Sequence, residues 1–98
     1  MKILPKPIEF IWDKGNIDKN LLKHTVTNEE TEECFLDKEK VIYEDVFHSR
    51  SEERYILLGK TKWKRLLYII FTMRNKKIRI ISARDINKKE VYLYEKKT

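Results

Sequence analysis

The 98-residue sequence lacks the residues from which several common kinds of site are built. With one cysteine, Cys34, it has no internal disulfide, and with two glycines it has no glycine-rich loop to cradle a nucleotide triphosphate. No grouping of His, Cys, Asp and Glu shows the spacing of metal ligands, so the sequence predicts no metal site and no cofactor. Cys34 is expected to be a core thiol, because no basic group lies near it in sequence to activate it.

Long apolar runs are also missing. The longest, residues 66–71, is too short to cross a bilayer. The N-terminal segment is interrupted by Pro5 and Pro7 before the apolar part of a signal peptide can form. A chain of this length provides one modest hydrophobic core. These observations predict a single domain, residues 1–98, that resides in the cytoplasm and makes no membrane contact.

Charged residues, in contrast, are plentiful, and they are unevenly distributed. The formal net charge is +6, but residues 54–98 hold fourteen Lys or Arg against three acids, whereas residues 28–53 hold three against ten. Aromatic residues are interleaved with the charges of the basic half, which suits a polyanion whose bases can stack. A solvated, lysine-rich surface would have the same composition, so composition alone leaves both interpretations open.

Hydrophobic periodicity predicts a short strand and a helix near the N-terminus. Alternation of apolar and polar residues indicates the strand at 8–12. Helical spacing then places Ile17, Leu21 and His24 on one face, and Thr25 ends the helix. This face is expected to pack against the core, with the His24 ring partly buried.

Capping signals and strand patterns organise the remaining residues. Capping boxes predict a second helix over 27–36 and a final helix from Asn87 to the C-terminal lysines. Between them come a strand at 41–44, a polar loop at 45–51 and a β-meander with strands at 54–60, 65–74 and 77–83, the last two joined by a tight turn. The predicted fold class is α+β: a short N-terminal strand, two helices, an antiparallel β-meander and a C-terminal helix, with the helices on one face of the sheet.

The most informative stretch is IRIISAR, Ile78–Arg84, which places two arginines in an otherwise apolar strand. A buried strand has no structural use for a guanidinium unless a partner or a ligand satisfies it, and a phosphate fits the arginine fork well. Arg79 and Arg84 have opposite strand parity. They therefore share a face only if the strand ends or twists between them.

Several chemistry-bearing residues occur in a fixed order: Trp12–Asp13, Lys23–His24, Glu53–Arg54, Arg74 and the whole of 78–84. In this order and spacing, the sequence resembles the BrnT family of type II toxin–antitoxin ribonucleases from Phe10 to about Tyr94. The resemblance implies a RelE-like fold and a toxin that inhibits translation by cleaving RNA. The sequence departs from the family pattern at Asn16, Thr25, Asn28 and Met73.

The residues present support metal-independent cleavage of RNA, in which the substrate supplies the nucleophile. A base deprotonates the ribose 2′-hydroxyl, its oxygen attacks the adjacent phosphorus, and an acid protonates the departing 5′-oxygen. Arginines neutralise the charge that grows on the phosphate oxygens. DNA lacks the 2′-hydroxyl, so it can be bound but not cut by this route.

Five residues are candidates for the catalytic step: Arg79, Arg74, Arg84, Glu53 and His24. Arg79 is predicted to clamp the phosphate, with Arg74 or Arg84 as the second clamp. His24 is the natural base, because a histidine exchanges a proton near neutrality. The alternatives are an ion pair with Glu53 or Asp13 for an arginine, a hydrogen-bonded core position for His24, and the charged entry to a strand for Glu53.

Five more residues are candidates for RNA contacts: Arg54, Lys23, His48, Tyr68 and Trp12. Core packing is the alternative for Tyr68 and Trp12, and full solvation is the alternative for Lys23. His48 lies in the predicted polar loop and is the second candidate base. No residue is assigned to a metal.

The resemblance also implies a partner, a BrnA-like antitoxin whose ribbon-helix-helix portion binds DNA. The toxin would then meet DNA only indirectly, through the antitoxin complex. The basic half of the chain is the expected docking surface for an acidic or amphipathic antitoxin segment. Two alternative functions use the same residues without catalysis: a nucleic-acid-binding module, and a regulatory module that only docks the antitoxin.

Overall fold

The computed structural model describes residues 4–48 and 51–95. Its elements are β1 Phe10–Ile11, α1 Lys19–His24, α2 Asn28–Phe35, β2 Val41–Glu44, β3 Arg54–Lys60, β4 Leu66–Arg74, β5 Lys77–Asp85 and α3 Lys88–Glu95. The predicted α+β class and order of elements are confirmed. No helix among these residues is long and apolar enough to cross a membrane. The predicted end of the last helix, at Lys96 and Lys97, lies outside the described residues, as does part of the predicted polar loop.

The strands form one mixed sheet in the order β1-β5-β4-β3-β2. β1 runs parallel to β5, and all other neighbouring strands are antiparallel, which confirms the meander of β3, β4 and β5. Asn75 and Lys76 both have positive φ, 52° and 63°, as a two-residue hairpin turn requires. β1 is shorter than predicted, whereas β5 continues two residues further, to Asp85.

One face of the sheet carries the hydrophobic core, and α2 packs on it. Phe35 of α2 meets Phe71 of β4 edge-on, with 5.1 Å between the ring centroids. A Cβ added to Gly59 would lie 2.8 Å from the carbonyl oxygen of Cys34, so glycine lets the α2 backbone approach the sheet closely. Burial raises the pKa of Cys34 to about 12, so its thiol stays protonated. The predicted core position of Cys34 is confirmed.

Helix α3 lies on the opposite face of the sheet from α2. Tyr43 Oη donates a hydrogen bond to the carbonyl oxygen of Leu93 (3.2 Å), and Arg84 pairs with Glu90 (2.8 Å). The strand register places both Tyr43 and Arg84 on the face away from the core. The prediction that all the helices share one face is therefore wrong. Polar contacts with the strands fix the position of α3, and the sequence pattern of the helix does not predict these contacts.

Helix α1 and the turn before it lie along the edge of β5 that β1 leaves uncovered. The Asn16 side-chain amide donates to the carbonyl oxygen of Ile80 (3.1 Å), and Asn20 Oδ1 accepts from the backbone N–H of Ala83 (3.0 Å). Both asparagines are buried. Because β1 pairs with only two residues of β5, these side chains take over the role of a neighbouring strand.

The apolar face predicted for α1 is not buried. Ile17 and Leu21 remain nearly half exposed, and His24 is exposed. The prediction is wrong because α1 meets the polar edge of a strand, so amide side chains are placed inside instead of apolar ones. Thr25 ends the helix as predicted, with a left-handed φ of 54°.

Replacing Asn20 by alanine is expected to destabilise the protein, because the buried N–H of Ala83 loses its acceptor. An unsatisfied buried group costs about 1–3 kcal/mol, and each kcal/mol lowers the Tm of a domain of this size by about 4–8 °C. Leu22→Ala on the same helix is the control: Leu22 is 87% exposed, and its loss should shift Tm by only about 2 °C. Equal melting of the two variants in calorimetry would contradict the edge-pairing role.

Candidate active site

A β-bulge interrupts the pairing of β4 with β5. Ile70 pairs with Ser82, whereas the next residue, Phe71, pairs with Ile80. Ile81 is therefore an extra residue in β5, with no partner directly opposite. A bulge of this kind changes which residues of the strand point to each face of the sheet.

The bulge brings Arg79 and Arg84 to the same face. Arg79 lies opposite Thr72, and Arg84 lies opposite Tyr68. These two positions are four residues apart on β4, about 13 Å. Strict alternation would place the two arginines on opposite faces. The bulge between them is the interruption of the strand that a shared face requires. The face away from the core is called the arginine face here: Arg54, Tyr68, Arg74, Arg79 and Arg84 point to it.

Arg79 is held by the turn that follows β1. Its Nη1 donates to Asp13 Oδ2 at 2.6 Å, and this hydrogen bond lowers the pKa of the Asp13 carboxyl. The Arg79 side chain is 16% exposed, whereas that of Asp13 is 53% exposed. Asp13 Oδ1 also accepts the backbone N–H of Gly15 (2.9 Å). The ion-pair alternative for Arg79 is thus present, but at the surface, with the carboxylate in solvent.

Gly15 leaves room for the guanidinium. A Cβ at this position would lie 2.6 Å from Nη2 of Arg79, far inside van der Waals contact. The φ of Gly15 is not positive, so the glycine is required by this close approach and not by its backbone conformation.

Arg74 forms a two-point ion pair with Glu52. Its Nε and Nη2 donate to the two carboxylate oxygens at 2.9 and 2.7 Å. This pairing lowers the pKa of Glu52, and the nearby charges of Arg54 and Arg79 lower it further. Three guanidinium groups and two carboxylates therefore lie close together at this end of the sheet. The carboxylates are those of Asp13 and Glu52. The predicted acid, Glu53, is exposed instead, and its carbonyl oxygen accepts a hydrogen bond from Thr72 Oγ1 (2.7 Å).

His48 lies beside this cluster. Its Nδ1 is 3.0 Å from Oδ2 of Asp45, a buried residue whose backbone N–H bonds to the carbonyl oxygen of Arg54 (2.8 Å). The Asp45 carboxylate orients the ring, and no described residue hydrogen-bonds to Nε2. A shallow pocket of about 410 Å³ adjoins the ring, lined by Phe47, His48, Ser51, Glu52 and Arg54.

Tyr68 and Arg84 occupy the other half of the arginine face. The Arg84 guanidinium lies over the Tyr68 ring, 3.9 Å from its centroid, and donates two hydrogen bonds to Glu90 at 3.0 and 2.8 Å. Burial and the nearby Glu90 carboxylate raise the pKa of Tyr68. Tyr68 is therefore neutral near pH 7, and its hydroxyl is a potential proton donor.

Three predicted site residues lie elsewhere. Lys23 and His24 are exposed in the last turn of α1. The His24 carbonyl oxygen accepts a hydrogen bond (3.3 Å) from Arg65, the residue just before β4. Arg74 ends the same strand, so His24 and the Arg74 cluster lie near opposite ends of β4. Trp12 is half-buried: its Nε1 donates to Glu32 (2.6 Å), in keeping with the packing alternative.

The family comparison covers the strands that carry these arginines. A family model described as ribonuclease toxin, BrnT, of type II toxin–antitoxin system matches residues 12–90. The chain belongs to this family. A BrnT-family protein is a ribonuclease toxin, and a type II system supplies it with an antitoxin partner. No curated protein matches this chain. Within residues 4–48 and 51–95, no group of three or more His, Cys, Asp or Glu side chains is placed to hold a metal ion.

Sequence reasoning named Asp13 as a possible partner of an arginine in this BrnT-family chain, but it missed Glu52 and Asp45. Strand alternation from Arg54 would have pointed to Glu52, two residues earlier, in preference to Glu53. The spacing of Asp45 and His48 by three residues is a weaker signal. Nothing local indicates that Gly15 faces Arg79, because the two are 64 residues apart in sequence.

Gly15→Ala is expected to lower RNA cleavage by about 10-fold to 100-fold, because the new methyl group displaces the Arg79 guanidinium and small misplacements of a positioning group have effects of this size. The Tm should change little, since the atom displaced is the end of a flexible side chain. Single-turnover cleavage and a thermal melt on the same preparation measure both effects. Wild-type cleavage by a normally folded Gly15→Ala protein would show that the position of this guanidinium does not matter.

Proposed function

We propose that this BrnT-family protein is a metal-independent endoribonuclease that uses the ribose 2′-hydroxyl of its RNA substrate as the nucleophile. The observation that supports this proposal is the arginine face, where Arg54, Arg74 and Arg79 lie near Glu52, and where Glu52 and Arg54 line a pocket with His48. Fixed guanidinium groups supply the positive charge that stabilises the growing charge on the phosphate oxygens.

Arg79 is the phosphate clamp in this proposal. Asp13 occupies one of its nitrogens, Nη1, which fixes the plane of the guanidinium. No described residue accepts a hydrogen bond from its Nε or Nη2, so these donors are available to a phosphate oxygen. Arg74 is the second clamp. Its partly exposed Glu52 partner is exchanged for phosphate when RNA binds.

His48 fits the role of general base better than His24 does. Asp45 holds Nδ1, and Nε2 is directed toward no described partner, so it can take the proton of the 2′-hydroxyl and pass one to the departing 5′-oxygen. Among the other candidates, Arg84 and Tyr68 are assigned to flanking RNA. Catalytic roles for Glu53 and His24, and RNA contacts of Lys23 and Trp12, remain predictions from the sequence.

The antitoxin is expected to act on the same face. We infer a BrnA-like partner with a ribbon-helix-helix portion, whose acidic or amphipathic segment covers the arginines and blocks RNA by competition. DNA would be contacted only by the antitoxin portion of the complex. Cleavage of mRNA in the cytoplasm would inhibit translation until the antitoxin returns.

The purified protein is expected to cleave single-stranded RNA in EDTA and to leave 2′,3′-cyclic phosphate and 5′-hydroxyl ends. Arg79→Ala, with a similar Tm, should reduce the single-turnover rate by about 10² to 10³, because the Asp13 carboxylate left behind stays in solvent. Arg79→Lys should restore only part of the rate, since a point charge lacks the two-point fork. Cleavage that depends on added Mg²⁺ or Mn²⁺ would overturn the mechanism, and binding without any cleavage would favour the non-catalytic alternative.

The two histidines provide a matched pair. His48→Ala should lower the cleavage rate by about 10² to 10⁴, the usual contribution of a general base or acid, whereas His24→Ala should leave it within about twofold of wild type. Single-turnover cleavage of the same RNA by the wild type and the two variants measures this ranking. The opposite ranking of the two variants would assign the base to His24.

A further inference from the structure

The hairpin between β3 and β4 presents a tryptophan to solvent. Trp63 is 91% exposed, more than any other large hydrophobic side chain among the described residues. Indole is one of the largest apolar groups in proteins, and packing normally covers most of it. Such a position leaves the whole ring accessible to a ligand.

Hydrogen bonds fix the backbone of the hairpin tip. Thr61 and Arg65 close it with a backbone hydrogen bond (2.9 Å), and the buried Thr61 also accepts the N–H of Arg65 through Oγ1 (3.1 Å). Lys62 N–H donates to Glu33 Oε1 of α2 (3.0 Å), which ties the tip to the body of the protein. The Trp63 backbone is therefore pre-organised for contact with a ligand.

The charges beside Trp63 differ from those of the arginine face. On the arginine face, Arg74, Arg79 and Arg84 are each paired with a carboxylate, and so is Arg65 at the base of the tip. Lys62 and Lys64 are exposed on either side of Trp63, and neither forms an ion pair within the part of the chain that the structure describes. The tip therefore offers one aromatic ring between two ammonium groups that have no internal partner.

The tip lies far from the candidate active site. Lys60, where β3 ends and the tip begins, is six residues along the strand from Arg54, about 20 Å. A ligand that touches both places must be extended and must carry negative charge along its length. A single nucleotide is too small to do so.

We propose that the β3–β4 tip is a second contact site for single-stranded RNA, in which Trp63 stacks on a base and Lys62 and Lys64 bind the adjacent phosphates. The inference rests on the proposed function only in taking RNA as the ligand. Stacking between an aromatic side chain and a base, with basic residues on the phosphates, is the usual chemistry of single-strand binding. A protein partner would call for a broad apolar patch, whereas the tip presents a single ring between two cations.

The test uses 2′-O-methyl oligonucleotides, which bind but cannot be cleaved because the nucleophilic hydroxyl is blocked. Fluorescence anisotropy compares lengths of 3 and 12 nucleotides, chosen to reach one contact or both. Trp63→Leu should weaken binding of the long oligonucleotide by about 5-fold to 150-fold, the range for one stacked base, and should leave the short one unchanged. Trp63→Phe, which keeps an aromatic face, should retain most of the affinity.

Two further measurements separate stacking from charge. In a Trp12→Phe background Trp63 is the only indole, and the long oligonucleotide should quench its fluorescence while inorganic polyphosphate should not. Replacing Lys62 and Lys64 by alanine should reduce the slope of log affinity against log salt by about 1.4, because each phosphate contact on a single strand contributes about 0.7. Trp63→Leu should leave this slope unchanged.

Equal affinity of wild type and Trp63→Leu for the long oligonucleotide would overturn the inference, as would failure of the wild type to bind it. Loss of antitoxin capture by Trp63→Leu, with RNA binding intact, would instead identify the tip as an antitoxin contact and would also overturn it. Because the oligonucleotides are not cleavable, these results do not depend on the catalytic proposal. If the wild type does not cleave RNA in EDTA, but Trp63→Leu still weakens binding, the proposed mechanism is wrong and the tip contact stands.

Discussion

The pairing of β5 on both of its edges is the constraint on which this structure depends. On one edge, β4 pairs with β5 through a bulge at Ile81, and this extra residue sets the direction of every side chain after it. On the other edge, β1 supplies two pairs, and the side chains of Asn16, Lys19 and Asn20 bond to backbone groups further along the strand. The core and the arginine face are two sides of this strand, so a change in its register would disturb both.

The arginines differ in what their carboxylate partners do. Arg65 binds Glu30 and Asp85 and also donates to the carbonyl oxygens of two residues at the end of α1. Its several fixed partners tie α1 and α2 to the sheet. Arg74 and Arg79 have one carboxylate partner each, and one side chain of each pair is about half exposed, so solvent and salt screen the ion pair in part. In the proposed mechanism, phosphate replaces or shares these partners, whereas Arg65 has a structural role.

The part of the arginine face that α3 does not cover suits the chemistry proposed for this family member. Side chains that project from hydrogen-bonded strands are positioned more precisely than those on loops, and precise position is what electrostatic catalysis requires. Arg74 and Arg79 are placed by adjacent strands, and Asp13 and Glu52 orient their guanidinium groups. The one base candidate in a loop, His48, is held by the buried Asp45. If the Trp63 tip also binds RNA, the substrate would lie along the length of the sheet.

The sequence by itself determined the elements whose signals are local. The capping boxes at Thr27–Glu30 and Asn87–Glu90, the Asn75–Lys76 turn and the meander strands all follow from residues near one another in the chain. The order of basic residues also indicated the family. Tertiary structure alone decided the bulge that aligns Arg79 with Arg84, the burial of Asn16 and Asn20, the face on which α3 packs, and the grouping of Glu52 and His48 with the arginines. Each of these depends on hydrogen bonds or packing between segments distant in sequence, and local propensity carries no information about which backbone groups such contacts will satisfy.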